Sequence, residues 1–355
     1  MNPTAPGNDP RLRPAPLEIG TSVAELIDHA FLGSTAGALA QATRLLTDRV
    51  LTRPGTIVGL TIDATLIPGG VAISTLVPLL QGGYVDWIAT TGVNLFHDAL
   101  FALGLPFFPE RPDGDEPVEL CEGDVFLRRS DRQLGTDRLR EILATPDFQS
   151  PMGTAPLHDR LGAHLRLREK SEGVEYPALL STAHELGVPV FNPAPADNPL
   201  GTLIADLSLV GNRLVLDASS DLNLAAALLD LAGPEDQTAV WCLGRGAASN
   251  FALQAPDHLR TVLAGTRATD YAYRIRMAGR GHPLPAAESR EGPTVIDLAL
   301  STDLSIALPL MTACILDRVP PRPLKRLGAR RDDLIDRLRQ DQLAATLARP
   351  APKKG

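Results

Sequence analysis

Long apolar runs and an excess of basic charge are missing from this chain and cysteine is scarce, and each of these removes a class of function. No stretch approaches the roughly 18 uninterrupted apolar residues that cross a bilayer as a helix. The opening MNPTAPGNDPRLRPAP carries no apolar signal-peptide core, so a cytoplasmic protein is expected. The three cysteines, Cys121, Cys242 and Cys314, lie far apart in apolar surroundings. That spacing supports neither a disulfide framework nor a zinc site, and predicts three buried thiols. With 34 Lys+Arg against 42 Asp+Glu, the net charge of −8 argues against a nucleic-acid partner and suits a cationic substrate. Ser/His/Asp elbow, H-E-x-x-H and P-loop patterns are absent as well.

The composition of the 355 residues, 44% hydrophobic and 21% charged, is that of a packed globule. Residues 1–17 and 349–355 read as loose tails around one α/β domain spanning 18–348. Within it, short β-rich runs at 57–62, 85–90, 188–191, 213–216, 238–243, 270–275 and 294–300 alternate with helical patterns. Helices are expected at 71–80, from about 94, at 222–231 and at 247–263. Strand then helix at this spacing predicts a doubly wound, Rossmann-like parallel sheet with helices on both faces. Residues 104–175, rich in Pro, Asp, Glu and Arg, read as an insertion or helical excursion. A mixed-charge helix at 330–347 reads as a packing or assembly element.

In such sheets ligands collect where strands end and helices begin. Four segments qualify. They are Thr61-Ile62-Asp63-Ala64, Thr90-Thr91-Gly92-Val93-Asn94, the proline-stiffened loop holding Asp197, and Gly244-Arg245-Gly246 before Ser249 and Asn250. The glycine pair lets backbone approach a ligand, or simply makes a tight strand-to-helix turn. Thr91 presents a hydroxyl to a phosphate or ribose, or caps the next helix. Asp197 suits a helix cap first and an amine ligand second. His97-Asp98, one turn into a helix, reads as a solvated or capping pair. These residues describe a cofactor-sized cleft and no particular reaction.

Taken in order, the same segments resemble the deoxyhypusine synthase family, especially its bacterial homospermidine-synthase-like branch. VPLLQGGYVDWIATTGVNLFHDALFALGLP, MGTAPLHDRLG, ELGVPVFNPAPADNPLG, VWCLGRGAASNF, ATDYAYRIRMA and STDLSIALPLMTA follow one another as in that family. The resemblance implies a Rossmann-like sheet that binds NAD, a tetramer with sites between subunits, and transfer of the butylamine part of spermidine to an amine. Such chemistry needs acidic groups to hold a polycation and a lysine to carry the butyl group as a Schiff base.

Carried over residue by residue, the resemblance places Thr61, Asp63, Thr91, Gly92, Asp197, Ala278 and Asp303 on the NAD side. On the amine side the candidates are Asp98, Thr202, Gly246 and Asn250, with Asp197 and Asp98 expected to attract a cation and His97 or His282 to handle a proton. His97 and Thr202 stand at positions that are acidic in the family, and Asn250 at a histidine. Where the family carries its lysine segment, this chain reads GRGHPLPAAESREGPTVIDLALSTD. Its four lysines are Lys170, Lys325, Lys353 and Lys354, so none lies between 171 and 324. Arginine stays protonated and forms no ordinary Schiff base. Two expectations follow. One is an NAD-dependent protein acting on a small amine without a lysine adduct. The other is an inactive subunit that completes or regulates a lysine-bearing paralogue, in a homotetramer or hetero-oligomer with no nucleic-acid or membrane partner.

Overall fold

The computed structural model describes residues 12–347 except 197, 233–236, 266–269 and 280–295. Ser22 opens α1 (Val23–His29) with a capping box, accepting from the Glu25 amide while the Glu25 carboxylate accepts from its own. Helix α2 (Ser34–Leu45) then leads to β1 (Ile57–Ile62). A π-helical stretch, Ala72–Leu76, continues as α3 (Val77–Gln81) and returns the chain to β2 (Trp87–Thr90) and α4 (Gly92–Ala102). A two-stranded ribbon follows, β3 (Val118–Glu122) and β4 (Val125–Arg128), and then α5 (Arg129–Leu143), α6 (Thr154–Glu172) and α7 (Leu179–Leu186). Strand β5 (Val190–Phe191), α8 (Pro199–Leu209), α9 (Ala218–Asp230), β6 (Thr238–Leu243) and α10 (Ala247–Val262) come next. The described chain closes with β7 (Tyr273–Ala278), β8 (Ile296–Ser301), α11 (Leu304–Arg318) and α12 (Arg331–Leu347).

Six strands form one sheet in the order β5-β2-β1-β6-β7-β8, and every pairing in it is parallel. The α/β fold expected from the alternation is therefore present. Parallel strands are covered on both faces, which is why TAVWCL in β6 and IVGLTI in β1 are apolar throughout and buried at every position. Successive side chains of a strand point to opposite faces. Val58, Leu60 and Ile62 accordingly enter a core with α3, α4 and α11, whereas Ile57, Val240 and Cys242 enter a second with α9, α10 and α12.

Local differences have local causes. The run at 213–216 forms no strand. A single bridge between Met152 and Leu216 takes its backbone groups, and Asp217 immediately caps α9. The region 104–175 is not helical throughout, because the β3–β4 ribbon comes first. Cys242 and Cys314 are buried as expected, but Cys121, on the ribbon, is only partly so. Burial still pushes its thiol up to about 11, so it is protonated at neutral pH. Among the described residues, no helix is long and apolar enough to cross a membrane and no cluster could hold a metal.

Candidate functional site

From β1 the chain winds outward through β2 to β5, then crosses back so that β6, β7 and β8 build away on the other side. The reversal falls between β1 and β6. There the segments leaving the two strands diverge, the place where open α/β sheets bind ligands. A cleft of about 740 Å³ occupies this point, within the range of roughly 300–1,000 Å³ usual for cofactor sites. Its wall runs from Asp63–Leu66 after β1 to Gly244 and Arg245 after β6. Ala278 and Gly279 at the end of β7 continue it, followed by Asp303–Ser305 at the head of α11. Ser74 and the ribbon tip, Gly123–Val125, complete it.

Asp63 is the pivot of this wall. Its carboxylate accepts from the amides of Ala248 (2.9 Å) and Ser249 (3.0 Å) and from the Ser249 hydroxyl, so it caps α10 from a neighbouring strand. The Gly244-Arg245-Gly246 turn wraps it closely. A Cβ on Gly244, whose φ is +102°, would lie 2.9 Å from the Asp63 Cβ, and one on Gly246 would lie 2.6 Å from its carboxylate oxygen. Glycine is needed at both positions for the cap to form. Thr61 lies beneath, fully buried, its hydroxyl 3.0 Å from that of Ser249. Asp303, exposed on the opposite wall, caps α11 by accepting from the amide (2.9 Å) and hydroxyl (2.6 Å) of Ser305.

The structure brings Asp63, Ala278 and Asp303 into one cleft, with Gly246 and Thr61 supporting Asp63. Other candidates stand elsewhere. Thr91 caps α4, and Gly92 lies under the Asn198 side chain, which would come within 2.1 Å of a Cβ there. Asn198 caps α8, and the hydroxyl of exposed Thr202 donates to its carbonyl at 3.2 Å. All three belong to the β2–β5 side of the sheet. Asn94 ties that side to the cleft, donating to the Ala64 carbonyl and the Thr90 hydroxyl, both at 3.0 Å. Asn250 is exposed in the first turn of α10. Asp197 and His282 lie outside the described residues.

Asp98 faces inward. It is fully buried and accepts from the Leu179 and Leu180 amides, both at 2.7 Å, at the start of α7. Burial pushes it up to about 7, against those two bonds. His97 packs edge-on against Phe107 at 5.7 Å, with Nδ1 buried and unpartnered. Burial, aided by the Arg132 charge, pulls it down to about 4, so it is neutral at pH 7. A histidine whose folded value lies below its ordinary 6.5 stabilises the fold fully above 6.5 and loses that contribution as pH falls toward 4. His97→Leu is therefore expected to leave stability near wild type at pH 7.5 and to exceed it by about 2 kcal/mol at pH 5. Denaturant titrations at the two pH values check this, and equal differences at both would refute it.

Among the described residues, lysine is distant from the cleft. Lys325 binds Asp86 (2.9 Å) and the Thr56 carbonyl (3.1 Å) at the amino ends of β1 and β2, about 20 Å away along a six-residue strand. Lys170 is exposed in the last turn of α6. The ribbon tip was not among the expected site residues. Its signal was available in VELCE-GD-VFLR, two β-rich runs around a Gly-Asp turn.

The deoxyhypusine synthase family model matches residues 28–314. A deoxyhypusine synthase-like protein of Nostoc sp. PCC 7120 is 37% identical over 352 residues, covering 94% of this chain and 92% of its own. Its counterpart in Thermosynechococcus vestitus is 35% identical over 356 residues, 95% of this chain and 88% of its own. In fold, the chain is similar to the crystal structure of an Entamoeba histolytica protein classed as a deoxyhypusine synthase. That likeness has a TM-score of 0.57 at 15% identity and covers 87% of this chain and 98% of the other. The family model and these relatives show that this chain belongs to the deoxyhypusine synthase family.

Proposed function

We propose that the cleft at the β1/β6 reversal holds NAD together with a small amine, and that the protein is an NAD-dependent enzyme acting on that amine without forming a lysine adduct. The observation that carries the reading is the cleft itself. It combines cofactor-scale volume, helix starts at α10 and α11, and a glycine turn, with three carboxylates against one guanidinium in its lining. The starts of α10 and α11 are already capped by Asp63 and Asp303, and a carboxylate such as Asp303 is suited to ribose hydroxyls. Gly244 and Gly279 allow backbone to approach a bound nucleotide closely. When bound, the dinucleotide supplies hydride acceptance from a carbon beside nitrogen. The chain's own contribution is to attract the cation and hold it at the strand ends.

Calorimetry is expected to show NAD binding, and a panel of amines to yield NADH absorbance. Borohydride reduction of the mixture is expected to leave the protein mass unchanged, because no lysine reaches the cleft among the described residues. Absence of NAD binding would overturn the reading. A mass increase equal to the aminoalkyl group would overturn its adduct-free form.

The same scarcity of lysine favours a second reading, in which the chain completes or regulates a lysine-bearing relative inside a mixed oligomer. Co-expression and co-purification with such a relative separate the two, since a chain that assembles only with itself excludes the second.

A further inference from the structure

We infer that Asp124, at the tip of the β3–β4 ribbon, determines specificity in the cleft by taking the far ammonium of an amine that carries two or more, so that the site measures amine length. This rests on the reading of the cleft as an amine site. Of the three carboxylates in the lining, Asp63 is engaged by α10 and Asp303 by Ser305. Asp124 is exposed and, among the described residues, accepts no hydrogen bond and joins no ion pair.

Its placement is built. The ribbon lies outside the main sheet, and a two-stranded ribbon alone is marginal. This one is pinned by reciprocal backbone bonds between Phe108 and Phe126 at 2.9 and 2.8 Å. The Arg128 guanidinium stacks 4.8 Å over the Phe108 ring, and Arg132 binds Glu119 at 2.8 Å. The ladder slips register between Leu120 and Glu122. Irregularities of this kind bend a ribbon and re-aim the residues beyond them. Gly123, at φ +54°, then makes the turn that brings Asp124 to the cleft mouth. An amine held near the strand ends reaches Asp124 only if it carries a second charged nitrogen at sufficient distance.

Binding of butylamine, 1,4-diaminobutane and spermidine to the NAD-saturated protein, for wild type and Asp124→Asn, tests this. Wild type is expected to prefer the di- and triamine. In the variant the preference for the di- and triamine over butylamine falls about five- to tenfold, each affinity being measured with NAD saturating. Asp124→Glu, one carbon longer, is expected to shift the preference toward a shorter diamine. An Asp124→Asn variant that keeps the wild-type amine profile while binding NAD overturns the inference and leaves the reading of the cleft standing. Wild type binding neither NAD nor any amine overturns both.

Discussion

Asp98→Ala is expected to lower unfolding stability by about 3 to 5 kcal/mol at pH 6, the largest loss from any single side chain near the candidate site. The carboxylate is fully buried and serves two amides at 2.7 Å, those of Leu179 and Leu180. Both leucines are themselves buried, so after truncation neither N–H meets water. Each orphaned donor costs about 1 to 3 kcal/mol, to which the vacated volume adds. The neighbouring carboxylate of Glu169 cannot take over. It already accepts from the Ala178 amide at 2.7 Å and the Ser181 hydroxyl at 2.5 Å. Asp98 lies above its ordinary 3.8, raised chiefly by burial to about 7, so the folded state holds its proton more tightly than the unfolded chain does. The stability it contributes is full below about 4 and diminishes as pH rises to 7. The gap between wild type and variant therefore narrows from pH 6 to pH 8. Urea titrations across that range measure it, and a variant within 1 kcal/mol of wild type at pH 6 would show that the start of α7 is solvated.

The same residue shows what could and could not be read from the chain. Apolar periodicity carries the sheet, because a strand covered on both faces must be apolar throughout, and TAVWCL or IVGLTI admits few other readings. Strand ends are equally legible as places. The partner of a carboxylate there is not, because that partner is tertiary. Asp98 meets α7 across 81 positions, and Asp63 meets Ala248 across 185. Nothing local to DATLI distinguishes an aspartate that caps a distant helix from one that holds a ribose. Asp303, by contrast, caps the helix that follows it directly, the commonest use of an aspartate before an apolar run. The ribbon was obscured for another reason. Its strands have five and four residues and carry Glu119, Glu122 and Arg128, so the charged composition of 104–175 outweighed the alternation.

Ser74→Trp is expected to weaken NAD binding at least about a hundredfold, equivalent to about 2.7 kcal/mol, without unfolding the chain. Ser74 lines the cleft, is exposed, and has no side-chain hydrogen bond among the described residues, while its backbone amide donates to the Gly70 carbonyl at 3.1 Å. Replacement therefore removes nothing the fold depends on and adds a rigid ring where the dinucleotide is proposed to lie. Thr202→Trp provides the counterpart on the other side of β1, since Thr202 is exposed on α8 with its hydroxyl on the Asn198 carbonyl. The two sides of the reversal compete for the same assignment. The β1–β6–β7–β8 side has the cleft, whereas the β2–β5 side has the Thr91-Gly92 loop closed down on Asn198. If the open side is the nucleotide site, Ser74→Trp abolishes calorimetric heat and Thr202→Trp leaves it within about twofold. The reverse pattern would move the cofactor to the β2–β5 loops. That would require Asn198 to swing off Gly92, a rearrangement visible as loss of amide protection at the start of α8 when NAD is added.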